Sequence, residues 1–166
     1  MSVADRSIDP RIMESAKEEF LQKGFLDASL QEICKNAGVT TGALYKRFKG
    51  KEELFCALVE STVQDLEEVV RQKSVLPATL TDEQLKKAWD MDREYMQWWF
   101  DYLYDRYDEM RLLLVFSDGT KYANFEHEWV ENMSRTTYAY YKEAQRRGLT
   151  KTDISEKELH VMLSSF

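Results

Sequence analysis

Residues that break helices are scarce in this sequence. The chain of 166 residues contains only 6 glycines and 2 prolines, so few positions favour a turn or interrupt a helix. Apolar residues instead recur every three or four positions over long stretches, which is the spacing of the buried face of an α-helix. A fold of many short strands would need turn residues far more often. The sequence therefore predicts an all-α fold.

The composition is that of a soluble globular protein with a core of its own. Hydrophobic residues make up 43% and charged residues 32% of the chain, and the length limits it to one or two compact units. No stretch reaches the roughly 18 uncharged apolar residues that a membrane span needs, and residues 1–11 carry no apolar signal segment. We therefore expect a cytoplasmic protein that does not span a membrane.

Neither the cysteines nor the histidines form a pattern typical of a metal site. Cys34 and Cys56 each lie within a helical pattern, which favours ordinary core residues over a disulfide or a zinc site. His127 and His160 have no partner at metal-ligand spacing. The sequence also lacks a nucleophile–base pattern, a glycine-rich phosphate loop and an HExxH motif. We expect no metal, no cofactor and no enzymatic activity, with a helical enzyme as the remote alternative.

Capping residues and apolar spacing together predict where the helices begin and end. Ser29, Thr81 and Ser155 each precede a Glu or Gln by three positions, which is the pattern of a capping box at a helix start. Gly38 can take the left-handed conformation that ends a helix. The predicted helices cover about residues 10–23, 30–36, 40–48, 51–73, 81–105, 108–116, 122–147 and 156 onward.

One short window of this acidic chain carries only positive charge. The formal net charge is −7, yet every charged residue between Glu32 and Glu52 is a lysine or an arginine. Two short predicted helices flank the turn at Gly38, as in a helix-turn-helix whose second helix enters the major groove of DNA. An acidic residue in this window would repel the duplex. The window therefore predicts binding to double-stranded DNA.

The second of these helices begins with small residues. Thr40, Thr41, Gly42 and Ala43 would let the start of the helix approach the base edges, and threonine hydroxyl and methyl groups can contact bases. The cations that follow are expected to meet phosphates, which supply the sequence-independent part of the affinity. These cations are Lys46, Arg47, Lys49 and Lys51, and Lys46 can also reach base edges.

The spacing of these residues resembles that of the TetR family of transcriptional regulators (TetR/AcrR type). The resemblance covers the apolar stripe of residues 12–20, the Gly-Phe pair at 24–25, the cap at 29, the stretch 33–39 and the Gly-x-Leu-Tyr-x-x-Phe motif with its continuation at 42–54. It implies that Tyr45 contacts a phosphate, that Lys51 holds another, and that Ser29 caps the second helix. Lys46 and Arg47 stand where the family frequently has an aromatic–His pair.

The resemblance also implies a division of labour along the chain. Residues 1–51 would form the helix-turn-helix domain, and residues 52–166 a helical domain for effector binding and dimerisation. The family members are homodimers that bind palindromic operators as repressors and release them when a small molecule binds the C-terminal domain. The last predicted helix is still apolar at Phe166, where the sequence stops, so we expect it to be truncated.

Aromatic residues crowd the predicted C-terminal domain. Trp98, Trp99 and Phe100 cover nearly all of a helix circumference and cannot all face one core. Asp92 lies on the apolar stripe of the helix predicted over 81–105, where a carboxylate must be paired or face a polar cavity. One hypothesis is a pocket for a lipophilic or aromatic effector, in particular a cation; the alternatives are a paired Asp92 or a filled core in a constitutive DNA-binding dimer. The candidate pocket residues are Trp89, Asp92, Tyr95, Met96, Trp99, Tyr102 and Phe116.

The last two predicted helices carry more apolar surface than one domain can cover. Such surface is expected to pack against the same helices of a second copy, as a four-helix bundle about a twofold axis. The candidate interface residues are Phe125, Trp129, Met133, Tyr140, Leu159, Met162 and Leu163.

Overall fold

The computed structural model describes residues 8–74, 76–77, 79–88 and 92–164 of this chain. Within these ranges every regular element is helical and none is a strand, which confirms the predicted fold class. The helices are α1 (Ile8–Asp27), α2 (Leu30–Ala37), α3 (Thr41–Tyr45), α4 (Lys51–Ser74), α5 (Asp82–Lys87), α6 (Arg93–Asp105), α7 (Tyr107–Val115), α8 (Phe125–Arg146) and α9 (Glu156–Leu163). None of the described helices combines the length and the apolar character that a membrane span requires.

The described residues pack into two compact units. The first unit takes those within 1–64 and 105–125, and the second takes those within 65–104 and 126–166. Helix α4 contributes residues to both. The functional division after residue 51, which follows the sequence motifs, stays a prediction.

The core of the first unit forms along the predicted stripe of α1. Ile12, Ala16 and Phe20 recur every four residues and are completely buried. Phe20 meets Phe55 of α4 edge to face, with ring centroids 5.2 Å apart, and Phe25 meets the same ring at 5.6 Å. Each such ring pair contributes about 0.5–1.5 kcal/mol of stability beyond the contribution from burying its apolar surface. These three rings fix α1 against α4.

Two buried polar side chains of α1 tie it to α2. Ser15 Oγ donates a hydrogen bond to the carbonyl oxygen of Ile33 at 2.9 Å. The almost fully buried carboxylate of Glu19 accepts hydrogen bonds from Lys23 Nζ at 2.8 Å and from the backbone N–H of Ser29 at 3.0 Å. Glu19 therefore holds the residue at which α2 begins.

The capping predictions are largely confirmed. The predicted boxes at Thr81 and Ser155 are both complete. The Ser29 side chain caps α2 by accepting the Glu32 N–H, but the N–H of Ser29 is bound by Glu19 instead of Glu32. A carboxylate ten residues earlier in the sequence thus replaces the local partner.

The prediction of one continuous helix over 81–105 is wrong. Helix α5 ends at Lys87 and α6 begins at Arg93. Asp92 precedes α6 and accepts the backbone N–H of Tyr95 at 2.8 Å. Aspartate favours such capping positions over helix interiors because its short carboxylate competes for nearby backbone N–H groups. Asp92 is exposed at a helix start and not on the apolar stripe predicted for it.

The second unit is tied together by arginine at the end of α8. Arg147 donates to the carbonyl oxygen of Leu80 at 2.5 Å and to Asp82 at 3.1 Å, next to the start of α5. It also pairs with Glu143 at 2.6 Å. Hydrogen bonds from Arg146 and Arg147 lower the pKa of Glu143 to about 2. The carboxylate therefore stays charged, and available to both arginines, down to strongly acidic pH.

We predict that Glu19→Gln destabilises the protein by about 1–3 kcal/mol at neutral pH, because a charge-assisted hydrogen bond in the interior is lost. Burial raises the pKa of Glu19, but the hydrogen bonds from Lys23 and Ser29 outweigh it, so the net pKa lies below the ordinary 4.5. A lowered folded-state pKa gives stability that is complete above the unfolded-state value and is lost as the pH falls through the folded-state value.

Urea unfolding of the wild type and the variant between pH 3 and pH 7 measures this contribution. The gap between the two proteins should narrow as the solution becomes acidic. Glu18→Gln, on the exposed side of the same helix, is the matched control and should leave stability nearly unchanged. A pH-independent gap would contradict the role of the Glu19 charge.

Candidate nucleic-acid interface

The turn between α2 and α3 is built around Gly38. Its φ of 65° and ψ of 37° place it in the left-handed region, which costs glycine little and other residues more. The N–H of Gly38 donates to the carbonyl of Lys35 at 3.2 Å, and that of Val39 to the carbonyl of Cys34 at 2.9 Å. These bonds close the end of α2 and turn the chain sharply into α3, as the sequence predicts.

The start of helix α3 is capped by a side chain and is accessible to solvent. Thr40 is its N-cap, and Thr40 Oγ1 accepts the N–H of Ala43 at 3.1 Å. Thr41 and Gly42 are exposed, while Leu44 on the opposite side is completely buried. The small residues predicted to approach base edges therefore lie at an accessible helix start.

Three further residues predicted to contact DNA extend this accessible surface. The Tyr45 side chain is 56% exposed, although Leu44 beside it is fully buried. Lys46 and Lys49 are also exposed. An accessible phenol and two ammonium groups close to a capped helix start can meet phosphate oxygens.

Arg47 is placed differently from the other cations of the window. Its side chain is only 18% exposed, and its Nε pairs with the carboxylate of Asp9 in the first turn of α1. Its Nη1 donates to the carbonyl oxygen of Ala43 at 3.1 Å. The guanidinium thus joins α3 to a residue 38 positions earlier in the sequence.

Lys51 is also engaged within the first unit. Its ammonium donates to the carbonyl oxygens of Leu26 at 2.9 Å and Ala28 at 3.0 Å, near the end of α1. It lies 4.8 Å from the centre of the Phe25 ring. A cation at the end of a helix compensates carbonyl groups that have no partner within the helix. The phosphate contact implied for Lys51 stays a prediction.

The predicted effector residues are only partly brought together. Tyr95, Trp98, Trp99 and Tyr102 form a chain of ring contacts along α6, with Trp98 and Trp99 centroids 5.0 Å apart. Met96 is half-buried on the same helix, while Asp92 is exposed and caps it. Trp89 lies outside the described residues.

Phe116 belongs to the first unit, whereas the α6 residues belong to the second. Its carbonyl oxygen accepts the N–H of Phe25 at 3.1 Å, and its ring lies 5.4 Å from the guanidinium carbon of Arg111. Phe116 therefore has a packing role at the end of α7. Its predicted role in effector binding is untested.

A groove that sequence reasoning missed lies between α4 and α8 in the second unit. Its volume is about 410 Å³, within the range of small-molecule sites. We call it the α4–α8 groove; it is lined by Glu67, Val70, Arg71 and Ser74 of α4 and by Trp129, Asn132, Arg135 and Thr136 of α8. The lining residues recur at three- and four-residue spacing on each helix, but the sequence pattern assigns Trp129 to a dimer interface.

The predicted dimer residues differ in how much surface they offer. Phe125 and Tyr140 are already buried within one chain. Met162 is 54% exposed, and its neighbour Val161 is 63% exposed. The remaining members are half-buried: Trp129, Met133, Leu159 and Leu163. The dimer interface stays a prediction, with α9 offering the most apolar surface of the set.

The two histidines lie close together in the second unit. The rings of His127 and His160 are 6.4 Å apart, and His160 Nδ1 lies 3.1 Å from Ser134 Oγ. Among the described residues no group of three or more His, Cys, Asp or Glu side chains could hold a metal ion. The contact between Ser134 and His160 joins α8 to α9.

Comparison with known proteins gives a specific match to the N-terminal part of the chain. Residues 12–58 match the family model described as bacterial regulatory proteins, tetR family. The HTH-type transcriptional regulator SrpR of Pseudomonas putida is 44% identical over 57 residues, which are 34% of this chain and 27% of SrpR. The chain thus spans little more than a quarter of the length of this curated relative.

Solved structures match over most of the chain at lower identity. MexZ of Pseudomonas aeruginosa, described as a key repressor responsible for antibiotic resistance, matches with a TM-score of 0.58 at 15% identity, over 97% of this chain and 78% of MexZ. The transcriptional regulator FadR of Bacillus subtilis, solved in complex with stearoyl-CoA, matches with a TM-score of 0.52 at 17% identity, over 95% of this chain and 81% of FadR. These likenesses show a shared fold.

We predict that Lys51→Gln lowers the free energy of unfolding by about 1 kcal/mol, because the end of α1 loses a charged donor to two carbonyl groups. Lys49→Gln is the matched control, since it removes the same charge from an exposed side chain nearby. Chemical unfolding of both variants at equal salt measures the difference. Equal losses would show that the charge of the window, and not the contacts of Lys51, sets the effect.

Proposed function

We propose, from this chain's membership of the TetR family of bacterial regulatory proteins, that it is a transcriptional regulator whose α3 enters the major groove of a palindromic operator. The observation that carries the proposal is the exposed start of α3. Thr40 caps it, Thr41 and Gly42 leave it accessible, and exposed cations follow. This arrangement suits close approach to base edges with phosphate contacts beside it.

The cationic window concentrates positive charge where the acidic chain needs it. With a net charge of −7, the chain as a whole repels DNA at long range. Tyr45, Lys46 and Lys49 supply exposed donors in the longest stretch of the chain without an acidic residue. Local charge and shape at α3 therefore support DNA binding in spite of the overall charge.

The second part of the proposal is release of the operator by a small-molecule effector. FadR, which shares the fold, is solved with stearoyl-CoA, an amphiphile with a long apolar chain. In this chain the α4–α8 groove sets the apolar Val70 and Trp129 among polar and charged side chains, including Glu67, Arg71 and Arg135. A lipophilic compound with a polar end fits such a lining.

Linkage gives the physical route from effector to operator. Helix α4 lines the groove with residues 67–74 and belongs to the first unit up to residue 64. An effector can bind more tightly when α4 is in a position that does not suit DNA binding. It then lowers the affinity for DNA by the ratio of its own affinities for the two positions of α4, typically about 5- to 150-fold. In a homodimer the affinity for DNA is sensitive to such a change, because the two α3 helices must match half-sites about 34–36 Å apart.

Selection from a pool of random duplexes tests DNA binding even though the operator sequence is unknown. The wild-type chain should enrich a palindrome, and its affinity for that duplex should fall as salt rises, by about 0.9 logarithmic units per phosphate contact for each tenfold increase in salt. Sedimentation of the complex should show two chains on one duplex. Failure to enrich any duplex, or an affinity that does not depend on salt, would overturn the proposal.

We predict that an effector which releases the duplex binds in the α4–α8 groove, so that Trp129→Ala weakens its effect. A panel of neutral, anionic and cationic lipophilic compounds, long-chain acyl compounds included, is tested for release of the selected duplex. Trp99→Ala on α6 is the matched variant for the pocket predicted from sequence. Both variants should keep the wild-type affinity for DNA when no compound is present.

The two variants separate the alternatives. Loss of release only in Trp129→Ala supports the groove, whereas loss only in Trp99→Ala supports the α6 residues. If no compound releases the duplex, the constitutive alternative is favoured and the effector part of the proposal falls. For a compound that does act, DNA must weaken its binding by the same factor by which it weakens DNA binding.

A further inference from the structure

Helix α3 is too short to keep its own conformation. It has five residues, whereas isolated helices shorter than about 12–15 residues are marginal in water. Its position must therefore come from contacts with other parts of the first unit. Buried Leu44 anchors one side of the helix, and Thr40 caps its start.

The end of α3 is held by a charged contact with α1. Arg47 Nη1 donates to the carbonyl oxygen of Ala43, while Arg47 Nε pairs with the Asp9 carboxylate. Asp9 lies in the first turn of α1, where the helix dipole favours a negative charge. The Arg47 side chain is only 18% exposed, so losing the Asp9 carboxylate costs more here than losing an ion pair at the surface.

We propose that Asp9 and Arg47 are positioning residues for DNA recognition, and that Arg47 is not one of the phosphate contacts of the window. The inference rests on the proposed function, because it concerns how α3 is presented to DNA. It replaces the expectation that all four cations from residue 46 to residue 51 meet phosphates. It also assigns a role in recognition to an acidic residue of α1, outside α2, α3 and the turn between them.

The role of Asp9 can be tested by the sign of one substitution. Asp9→Asn removes a negative charge from the unit that binds DNA, so simple electrostatics predicts tighter binding. A positioning role predicts the opposite, since α3 loses its tie to α1. Glu18→Gln removes the same charge from an exposed side chain of the same helix and serves as the matched control.

The experiment measures affinity for the duplex selected by the wild-type chain, over a range of salt concentrations. Asp9→Asn and Arg47→Gln should each weaken binding about 5- to 30-fold, the range expected for loss of one or two kcal/mol. The double variant should be little worse than either single variant, because both remove the same contact. Glu18→Gln should bind as tightly as the wild type or more tightly.

Salt dependence separates positioning from phosphate contact. Lys46→Gln should reduce the slope of log affinity against log salt by about 0.9, as expected for one lost phosphate contact. Arg47→Gln should weaken binding while keeping the wild-type slope. Asp9→Glu, which keeps the charge, should retain most of the affinity for DNA. If Asp9→Asn does not fold, as judged by its helical circular dichroism, the affinities of Asp9→Glu and Arg47→Gln test the inference instead.

Several results would overturn the inference. If Asp9→Asn binds the duplex as tightly as Glu18→Gln does, Asp9 is not a positioning residue. Arg47→Gln that lowers the slope as Lys46→Gln does would make Arg47 a phosphate contact. A wild-type chain that selects no duplex would instead refute the proposed function, and this inference with it.

Discussion

The placement of the five-residue helix α3 depends on contacts made by α1. Glu19 binds the N–H at the start of α2, and Ser15 binds the carbonyl of Ile33 inside α2. Since α2 ends in the tight turn at Gly38, fixing α2 also fixes where α3 begins. Arg47 then ties the far end of α3 back to α1. The short helix is held at both ends because it cannot hold itself.

These contacts divide the cationic window into two classes. Lys46 and Lys49 are exposed, whereas Arg47 and Lys51 satisfy carbonyl or carboxylate groups of the first unit. A positive charge can serve the fold and the nucleic acid at once only if its donors are shared between them. Counting cations in the sequence therefore does not distinguish exposed side chains from those already engaged within the fold, because that distinction depends on the contacts of each side chain.

Local chemistry explains which features could be predicted from the sequence. Caps such as Ser29 and Thr40, and the left-handed Gly38, depend on residues within three or four positions, so their patterns are visible in the chain. The buried stripe of α1 is visible for the same reason. The pairing of Arg47 with Asp9 spans 38 positions and depends on packing. The α4–α8 groove likewise needs two helices that are distant in sequence, and no periodicity within one helix reveals it.

The error over residues 81–105 follows from the same limit. A continuous apolar spacing predicted one helix, but the spacing of side chains does not record where the backbone of one helix ends and that of the next begins. Asp92 carried the missing signal, because a short carboxylate accepts the N–H of Tyr95 more readily at a helix start than it tolerates an apolar face. Its apparent conflict with the stripe, which suggested a ligand, is resolved by capping. An acidic residue on a predicted apolar face should therefore be considered first as a helix boundary, and as a binding group only when the helix is shown to continue through it.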